Sequence, residues 1–310
     1  MRKTALRFLP ALLAMAGLHQ PALAHGFAGK RFFPATFATD DPFVADELSF
    51  PTLSRRNLGP SGEGPGAQET AASVDFAKRI TKDFGMEAGA TWLRLKSDEG
   101  VQRGFDNAAL GAKYRFHLDE EHESIASVGV DWDIGNTGAK SVGAETFSTV
   151  TPALFAGRGF GDLPDSMRFL RPLAVTGSLG VGIPSRSSTA SVDEDGNTSV
   201  ERHPHTLGIG LALEYSLPYL QSFVKDLGLR EPFNRIIPLV ELAMEKPLDR
   251  GGGSWSGTVN PGLIWAGRYT QLGLEAVIPV NHTGGGTGVL VQLHFFLDDL
   301  FPRGVGRPLR

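Results

Sequence analysis

The residues of this sequence that could do chemistry are charged side chains in segments where apolar and polar residues alternate. They occupy the polar positions of these segments. Carboxyl groups predominate among them. If these positions face an enclosed interior, the charges must be paired or hydrated. The acidic members are Asp75, Glu87, Asp131, Asp133, Glu214, Glu241, Glu245 and Glu275, and the basic or titratable members are Arg79, Lys113, Arg115, His117 and His294.

Two functions are open for this charged set. The residues could form an ion-paired network that stabilises a narrow, closed interior, or they could line a water-filled path. The acidic excess of such a path would favour cations or polar solutes that carry positive charge. Lys113, Arg115 and His117, on one face of a single segment, could instead hold an anion.

Metal chemistry has little support. After removal of a leader, His25 would offer an amine and an imidazole nitrogen, which together chelate copper. A further histidine would be needed, and His203, His205 and His282 are expected on the opposite side of the molecule. We therefore predict no metal site and no cofactor.

Catalysis and nucleic-acid binding are not expected either. No nucleophile elbow surrounds any serine, and the glycine run 284–286 is not followed by the Lys-Ser/Thr of a phosphate loop. The net charge of −4 and the lack of a basic cluster argue against nucleic acid as a partner. The sequence contains no cysteine, which excludes disulfides and thiol chemistry.

The elements that must position these charges are long strands. In the best example, Leu207, Ile209, Leu211 and Leu213 alternate with small or polar residues. A period of two over a dozen residues indicates a strand with one apolar and one polar face. In an exported chain, strands of this length predict an all-β fold, a transmembrane antiparallel β-barrel.

Export is predicted from the start of the chain. Positive charges precede a short apolar run, and Ala22-Leu23-Ala24 gives the pattern that signal peptidase reads. We expect a signal peptide at 1–24, a mature N-terminus at His25, and an outer-membrane barrel domain at 25–310. The expected partners are outer-membrane lipid, the barrel-assembly machinery and a small solute.

About twelve strands are predicted. Eleven alternating segments can be recognised, of which the one near 147–159 has an ambiguous phase. Single-chain barrels have an even number of strands, so a further strand is expected at about 36–50. Long outer loops are then expected at 51–66, 97–104, 135–146, 184–204, 248–256 and 281–286, and periplasmic turns near 82–84, 119–122, 160–170, 218–235 and 267–269.

Two segments depart from the strand pattern. Leu220, Phe223, Val224 and Leu227 have helical spacing, which predicts a short amphipathic helix in the periplasmic turn 218–235. It could pack at the rim, or it could act as a gate or docking element. The aromatic-rich N-terminal segment is expected either as the first strand with a lead-in at the rim or as a plug, at about residues 25–35.

The last third of the chain resembles an exported family of proteobacteria. The resemblance is carried by Pro232-Phe233-Asn234-Arg235-Ile236-Ile237-Pro238, by Asn260-Pro261-Gly262 with residues 264–269, and by residues 292–295 with 298–302. These uncharacterised outer-membrane barrels are similar to transporter-like barrels associated with phenol-degradation pathways. The resemblance implies a barrel and solute uptake, and it supplies no functional residues.

The sequence thus predicts an outer-membrane channel or transporter that passes or binds a small solute, with a hydrophobic solute among the options. The alternative is a closed structural or interaction barrel without transport. A third option, a soluble periplasmic β-protein, would place Tyr114, Trp132 and Trp265 in a core instead of at lipid.

Overall fold

The computed structural model describes residues 26–59, 66–192, 196, 198–281 and 285–310. The expected signal peptide, the expected N-terminal His25 and the loop residue His282 lie outside these residues.

Twelve long antiparallel strands dominate the described part of the chain and form one closed sheet. Each strand pairs with its neighbours in sequence, and the last pairs with the first from Gly288↔Arg56 to Phe296↔Glu47. The fold is therefore the predicted twelve-stranded β-barrel. Its strands are β1 (Glu47–Leu58), β2 (Ala67–Arg79), β3 (Phe84–Ser97), β4 (Ala108–Asp119), β5 (Ser124–Ile134), β6 (Thr149–Gly159), β7 (Leu173–Pro184), β8 (Thr206–Tyr215), β9 (Ile236–Pro247), β10 (Ser256–Ala266), β11 (Thr270–Pro279) and β12 (Gly288–Phe296).

The outward face of the barrel is apolar. Leu211 and Leu213 of β8 are exposed, as are Tyr114 of β4, Trp132 of β5 and Leu274 of β11. Between them stand small or polar inward residues, as the alternation predicts. Such a continuous apolar outer surface would be unfavourable in water and is stable against lipid, so the barrel is of the membrane-spanning type.

The two ends of the barrel differ in their connections. One end carries the tight turns 80–83, 120–123 and 267–269, together with 160–172 and 216–235; we call it the short-turn end. The other, the long-loop end, carries the loops 98–107, 135–148 and 248–255 and the connections that follow Leu58, Pro184 and Pro279, of which the structure describes a part. Two of these loops contain strand extensions, Gly100–Phe105 against the end of β3, and Ser188–Val192 against Thr198–Arg202.

The first strand begins later than predicted. It spans Glu47–Leu58 instead of 36–50. Its register shifts between Ser49 and Thr52, with Phe50 and Pro51 unpaired, and this irregularity interrupts the alternation that would have revealed it. The aromatic residues ahead of it belong to a segment with another course.

The predicted amphipathic helix is shorter than its spacing indicated. A single helical turn at Leu217–Tyr219 continues as a π-turn at Leu220–Val224 and then stops. Tyr219 and Leu220 are buried, whereas Phe223 and Leu227 are exposed. Ser216 caps the turn, because its hydroxyl accepts a hydrogen bond from the backbone N–H of Tyr219. No described helix has the length and apolar composition to cross a membrane.

Residues 26–46, the N-terminal segment, run inside the barrel. A small hairpin pairs Phe27–Ala28 with Arg31–Phe32 at the short-turn end. The chain then rises to about mid-height at residues 37–41, which we call the tip, and returns to enter β1 at Glu47. Ala28, Phe33 and Asp46 are almost completely buried.

Candidate functional site

The base of the N-terminal segment is fixed by Arg31. Its guanidinium is fully buried and lies 3.3 Å from a carboxylate oxygen of Glu123. It donates hydrogen bonds to the carbonyl oxygens of Pro172 and Arg171, and it stacks over the ring of Tyr219. A buried guanidinium needs all these partners to offset its lost hydration. Arg31 therefore ties the segment to three connections of the short-turn end.

Tyr219 completes this anchor. Its hydroxyl donates a hydrogen bond of 3.0 Å to Glu123. Burial and the neighbouring Glu123 carboxylate raise the pKa of Tyr219 to about 12. The phenol therefore stays protonated and remains a donor at physiological pH, so the helical turn of the 216–235 connection is part of the anchor.

Apolar side chains fill the lumen around the segment near the short-turn end. On one side, Phe33 and Phe43 pack with the inward Ile125. On the other, Phe32 and Phe37 pack against a cluster of inward wall residues formed by Ile237, Leu239 and Ile264. Burial of these side chains supplies the hydrophobic free energy that keeps the segment inside the barrel.

The tip is held by Glu241 of β9. The backbone N–H groups of Phe37, Ala38 and Thr39 all donate to its carboxylate, at 2.9 Å from Phe37 and 3.1 Å from Thr39. Glu241 is itself completely buried. Three successive donors on one carboxylate form a strong, charge-assisted contact, so Glu241 fixes the height of the tip.

Lys113 of β4 holds the opposite side of the tip. Its ammonium lies 3.4 Å from Asp40 and 3.3 Å from Glu87, and it donates to the carbonyl oxygen of Asp41. It also stands 4.7 Å from the centre of the Phe155 ring. Lys113 thus forms ion pairs with one acid of the wall, Glu87, and one acid of the tip, Asp40.

The return of the segment to the wall is fixed by Asp46. Its carboxylate accepts from Lys78 and Arg79 of β2, and the Arg79 guanidinium also reaches Asp298 at 3.3 Å. Asp46 is fully buried. This cluster sets the point where the segment ends and β1 begins.

The wall makes room for the segment with glycine. A Cβ atom built on Gly273 would overlap the Phe37 ring, and one on Gly210 would lie 3.1 Å from Thr39. On the other side, a Cβ on Gly85 would lie 2.9 Å from a methyl group of Val44. These inward glycines allow the close approach of the segment to the wall.

Two cavities meet at the tip. The long-loop cavity, of about 540 Å³, lies on the long-loop side of the tip and has small or polar walls that include Ser178, Gly180 and Thr258. The acidic cavity, of about 410 Å³, lies between the segment and the wall formed by β1–β5 and β12. Both are lined by Ala38, Thr39, Asp40 and Asp131.

Some of the predicted charged residues line the two cavities. The acidic cavity brings together Asp75, Glu87, Asp131 and His294, while Glu245 and Asp131 line the long-loop cavity. The His294 ring shares a hydrogen bond of 2.9 Å with the Ser49 hydroxyl, and its Nε2 atom lies 3.4 Å from a carboxylate oxygen of Glu47. Asp133 follows Asp131 on the same face and lines neither cavity.

The other predicted residues lie apart from the cavities. Glu214, Glu241 and Glu275 are buried on the opposite wall, where the Asn260 side chain donates to Glu275 at 3.4 Å. Arg79 and Arg115 form ion pairs near the short-turn end, with Asp46 and with Asp83.

His117 differs from its expected inward position. The pairing of β4 with β5 shifts between Arg115 and His117, which brings His117 opposite the outward Ala126 and Leu118 opposite the inward Ile125. Leu118 packs on the apolar cluster of the lumen, whereas the exposed His117 ring contacts the Ser124 hydroxyl at 3.0 Å. The anion site predicted from Lys113, Arg115 and His117 is therefore not formed, because the bulge turns His117 outward and Asp residues pair with the two bases.

Several important residues were outside the sequence prediction. Arg31, Asp40 and Asp46 belong to the N-terminal segment, which has no strand periodicity to orient them. Gln292 occupies an inward position in the alternation of β12, but its uncharged side chain gives no signal of a charged site. Within the described residues, no group of three His, Cys, Asp or Glu side chains could hold a metal ion.

Comparison with solved structures shows a fold shared with outer-membrane barrels. The COG4313 outer membrane channel from Pseudomonas putida F1 superposes with a TM-score of 0.55 at 11% identity, over 85% of this chain and 99% of that one. The beta domain of the Bordetella autotransporter BrkA gives 0.49 at 13% identity (81% and 99%), and the KdgM porin gives 0.43 at 11% (79% and 98%). No protein-family model and no curated protein sequence matches the chain.

Proposed function

We propose that the protein is an outer-membrane channel for small solutes, in which the N-terminal segment is a plug that narrows the lumen without closing it. Its short-turn end would face the periplasm, as in bacterial barrels generally. The observation that carries the proposal is the pair of cavities that share the tip of the segment. A solute from the long-loop side would pass Asp40 and Asp131 and enter the acidic cavity.

The charges along this route favour cations. Asp40 and Asp131 stand where the cavities meet, and Lys113 is already paired with Asp40 and Glu87. A narrow, low-dielectric passage lined by one sign of charge concentrates the opposite ion. We expect a cation-selective conductance that weakens at high ionic strength, because salt screens these charges.

The test is conductance of the purified chain in planar lipid bilayers. Under a KCl gradient, the reversal potential should have the sign of K⁺ preference, and Asp131→Asn should reduce that preference. Asp98→Asn, which makes the same change of charge on an exposed residue of the Ser97–Gly100 hairpin, is the matched control and should leave it unchanged. Anion preference would contradict the proposed route.

A closed structural barrel is the second candidate, and one observation favours it. The short-turn half of the lumen is filled by aromatic clusters and by the buried Arg31 and Asp46 anchors. Absence of current from protein whose folding is verified by heat-modifiable gel mobility would support this candidate over the channel.

The remaining expectations are part of the same proposal. Export by a cleaved signal peptide, insertion by the barrel-assembly machinery and contact with outer-membrane lipid follow from the proposed location, and no catalytic step is assigned. The resemblance to barrels associated with phenol-degradation pathways makes a hydrophobic solute one of the candidates. Liposome swelling with aromatic, neutral and cationic solutes of similar size would rank these classes.

A further inference from the structure

The acidic cavity has an unusual charge balance. The described residues that line it carry six carboxyl groups, those of Asp40, Asp41, Glu47, Asp75, Glu87 and Asp131, and include neither lysine nor arginine. Lys113, which is not part of the lining, contacts Asp40 and Glu87, and His294 of the lining lies 3.4 Å from Glu47. One lysine and one histidine cannot balance six carboxyl groups, so the cavity favours positive charge on its contents.

Two of these carboxylates lack a hydrogen-bond or ion-pair partner among the described residues. Within the described residues, neither Asp75 nor Asp131 forms a hydrogen bond or an ion pair, although both stand on inward faces of the barrel. Each lies over a glycine of the adjacent strand: a Cβ on Gly89 would be 2.6 Å from Asp75 Oδ1, and one on Gly111 would be 2.8 Å from Asp131 Oδ1. The glycines leave both carboxylates room to face the cavity.

A buried amide points to the same ligand chemistry. Gln292 lines the cavity, is 5% exposed, and donates through Nε2 to the Thr52 hydroxyl at 3.2 Å. Its side-chain oxygen is buried without a hydrogen-bond partner among the described residues. A buried carbonyl oxygen without a donor is costly, and a ligand that brings N–H donors would satisfy it.

The remaining walls suit a short hydrocarbon chain. Ala35, Phe37 and Ala38 of the N-terminal segment line one side of the cavity, and Ala77 lies opposite. The carboxyl groups are spread around about 410 Å³, and the described residues contain no compact metal-ligand group. The lining therefore fits separated charges joined by methylene groups better than a bare metal ion.

We propose that the acidic cavity binds small alkylammonium solutes, with diamines preferred over monoamines. One ammonium group binds at Asp131, the hydrocarbon chain lies along Phe37, and the second ammonium binds at Asp75 and reaches Glu47 and the side-chain oxygen of Gln292. Charge-assisted hydrogen bonds supply the affinity. This inference rests on the proposed channel, because it assigns the solute class of the same passage.

The first experiment is equilibrium binding to the full chain in detergent, followed by calorimetry. Diaminobutane, with an amine at each end, is the probe, and butylamine and butanediol are its matched controls. We expect diaminobutane to bind at least about tenfold more tightly than butylamine, because a second charge-assisted contact is gained, and we expect no binding of butanediol. Equal weak binding of all three probes would overturn the proposal.

Variants locate the site. Asp75→Asn with Asp131→Asn should weaken diaminobutane binding by about tenfold or more, since both unpaired charges are removed. Asp98→Asn with Glu99→Gln, two exposed residues of the outer hairpin, should leave binding unchanged. Gly111→Ala tests the geometry with all charges kept, and its methyl group should weaken binding by displacing Asp131. Unchanged binding in both cavity variants would overturn the site.

Bilayer conductance separates this inference from the proposed function. If the channel conducts K⁺ and diaminobutane blocks the current at micromolar to millimolar concentration, both stand. If the chain conducts and diaminobutane neither binds nor blocks, the alkylammonium site is wrong and the channel stands. If diaminobutane binds to a chain that carries no current, the channel is wrong and the binding site stands.

Discussion

The two ends of the lumen are built from the same twelve strands, yet one is filled and the other is open. Near the short-turn end the inward positions carry Ile125, Ile237 and Ile264, and the N-terminal segment packs against them. Near the long-loop end the inward positions carry residues such as Gly180 and Thr258, and a cavity of about 540 Å³ remains.

The difference shows that the two faces of each strand have separate roles. The outward side chains are apolar along the whole height of the barrel, so they set the membrane span at both ends alike. The size and polarity of the inward side chains determine whether the lumen takes up a segment of the chain or leaves space for solute.

The largest effect is expected from opening the filled end at Arg31. Arg31→Ala leaves the Glu123 carboxylate buried without its guanidinium, and loss of one partner of a buried pair costs about 3–5 kcal/mol. We expect a lower unfolding midpoint in urea and a higher single-channel conductance, because the base of the segment is freed.

Arg235→Ala is the control for this effect. The Arg235–Glu231 ion pair is largely exposed at the same end of the barrel, and such pairs contribute about 0–1 kcal/mol. An Arg31→Ala protein as stable as this control, with unchanged conductance, would show that Arg31 does not hold the segment.

The next largest effect is expected at the tip. Glu241→Leu removes the acceptor of three backbone donors, and the cost is about 2–3 kcal/mol because water in the cavities re-solvates part of them. The tip should become mobile, which is measured as frequent flickering of the single-channel current. Glu241→Gln keeps one acceptor oxygen and should give an intermediate phenotype. Identical, quiet traces for all three proteins would exclude Glu241 as the contact that fixes the tip.

A smaller effect is expected at Gly273, where the absence of a side chain leaves room for the Phe37 ring. Gly273→Ala places a methyl group where the Phe37 ring lies, and overpacking of this kind costs about 1–3 kcal/mol. Gly208→Ala is the matched control on an inward face. Its Cβ would lie 3.9 Å from the carbonyl oxygen of Gly180, which is an ordinary van der Waals contact. Urea unfolding in lipid vesicles compares the two variants, and equal stabilities would contradict the packing of Phe37 against β11.

The smallest effect concerns a contact between two outer loops, His205 with Asp249, whose residues line neither cavity. Two hydrogen bonds from His205 hold the pKa of Asp249 below its usual value. The bond from the imidazole ring has the larger effect, and the bond from the backbone N–H has the smaller one. The contact is therefore complete above the ordinary aspartate pKa and is lost as the pH falls through the depressed value. Hydrogen exchange at residues 203–206, corrected for intrinsic rates, should accelerate only in acid, and Asp249→Asn should remove that pH dependence.

The sequence predicted the barrel because outward positions obey one rule, apolar at every second residue. Leu207 to Leu213 show it plainly, and the loop lengths then required a strand before β2. The alternation failed at two bulges. Unpaired Phe50 and Pro51 concealed β1, and the shift after Arg115 turned His117 outward and Leu118 inward.

The site was less accessible to sequence reasoning, because its geometry depends on a segment without periodicity. The alternation indicated that Asp75, Glu87 and Asp131 face inward, but the pairing of Asp40 with Lys113 and of Glu241 with the tip joins residues far apart in sequence. Such contacts follow from the closed sheet, and no local pattern encodes them. The glycines opposite the segment were a usable signal, since Gly210 and Gly273 occupy inward positions of long strands.

The central claim is that solute passes the tip of the N-terminal segment beside Asp131. The chain contains no cysteine, so Asp131→Cys introduces a unique thiol where the two cavities meet. We predict that a cationic, thiol-specific methanethiosulfonate reagent added during recording lowers the single-channel current in one step, and that it reacts faster than an anionic reagent of the same size. A thiol that is modified, as mass spectrometry would show, without any change in current would contradict the route.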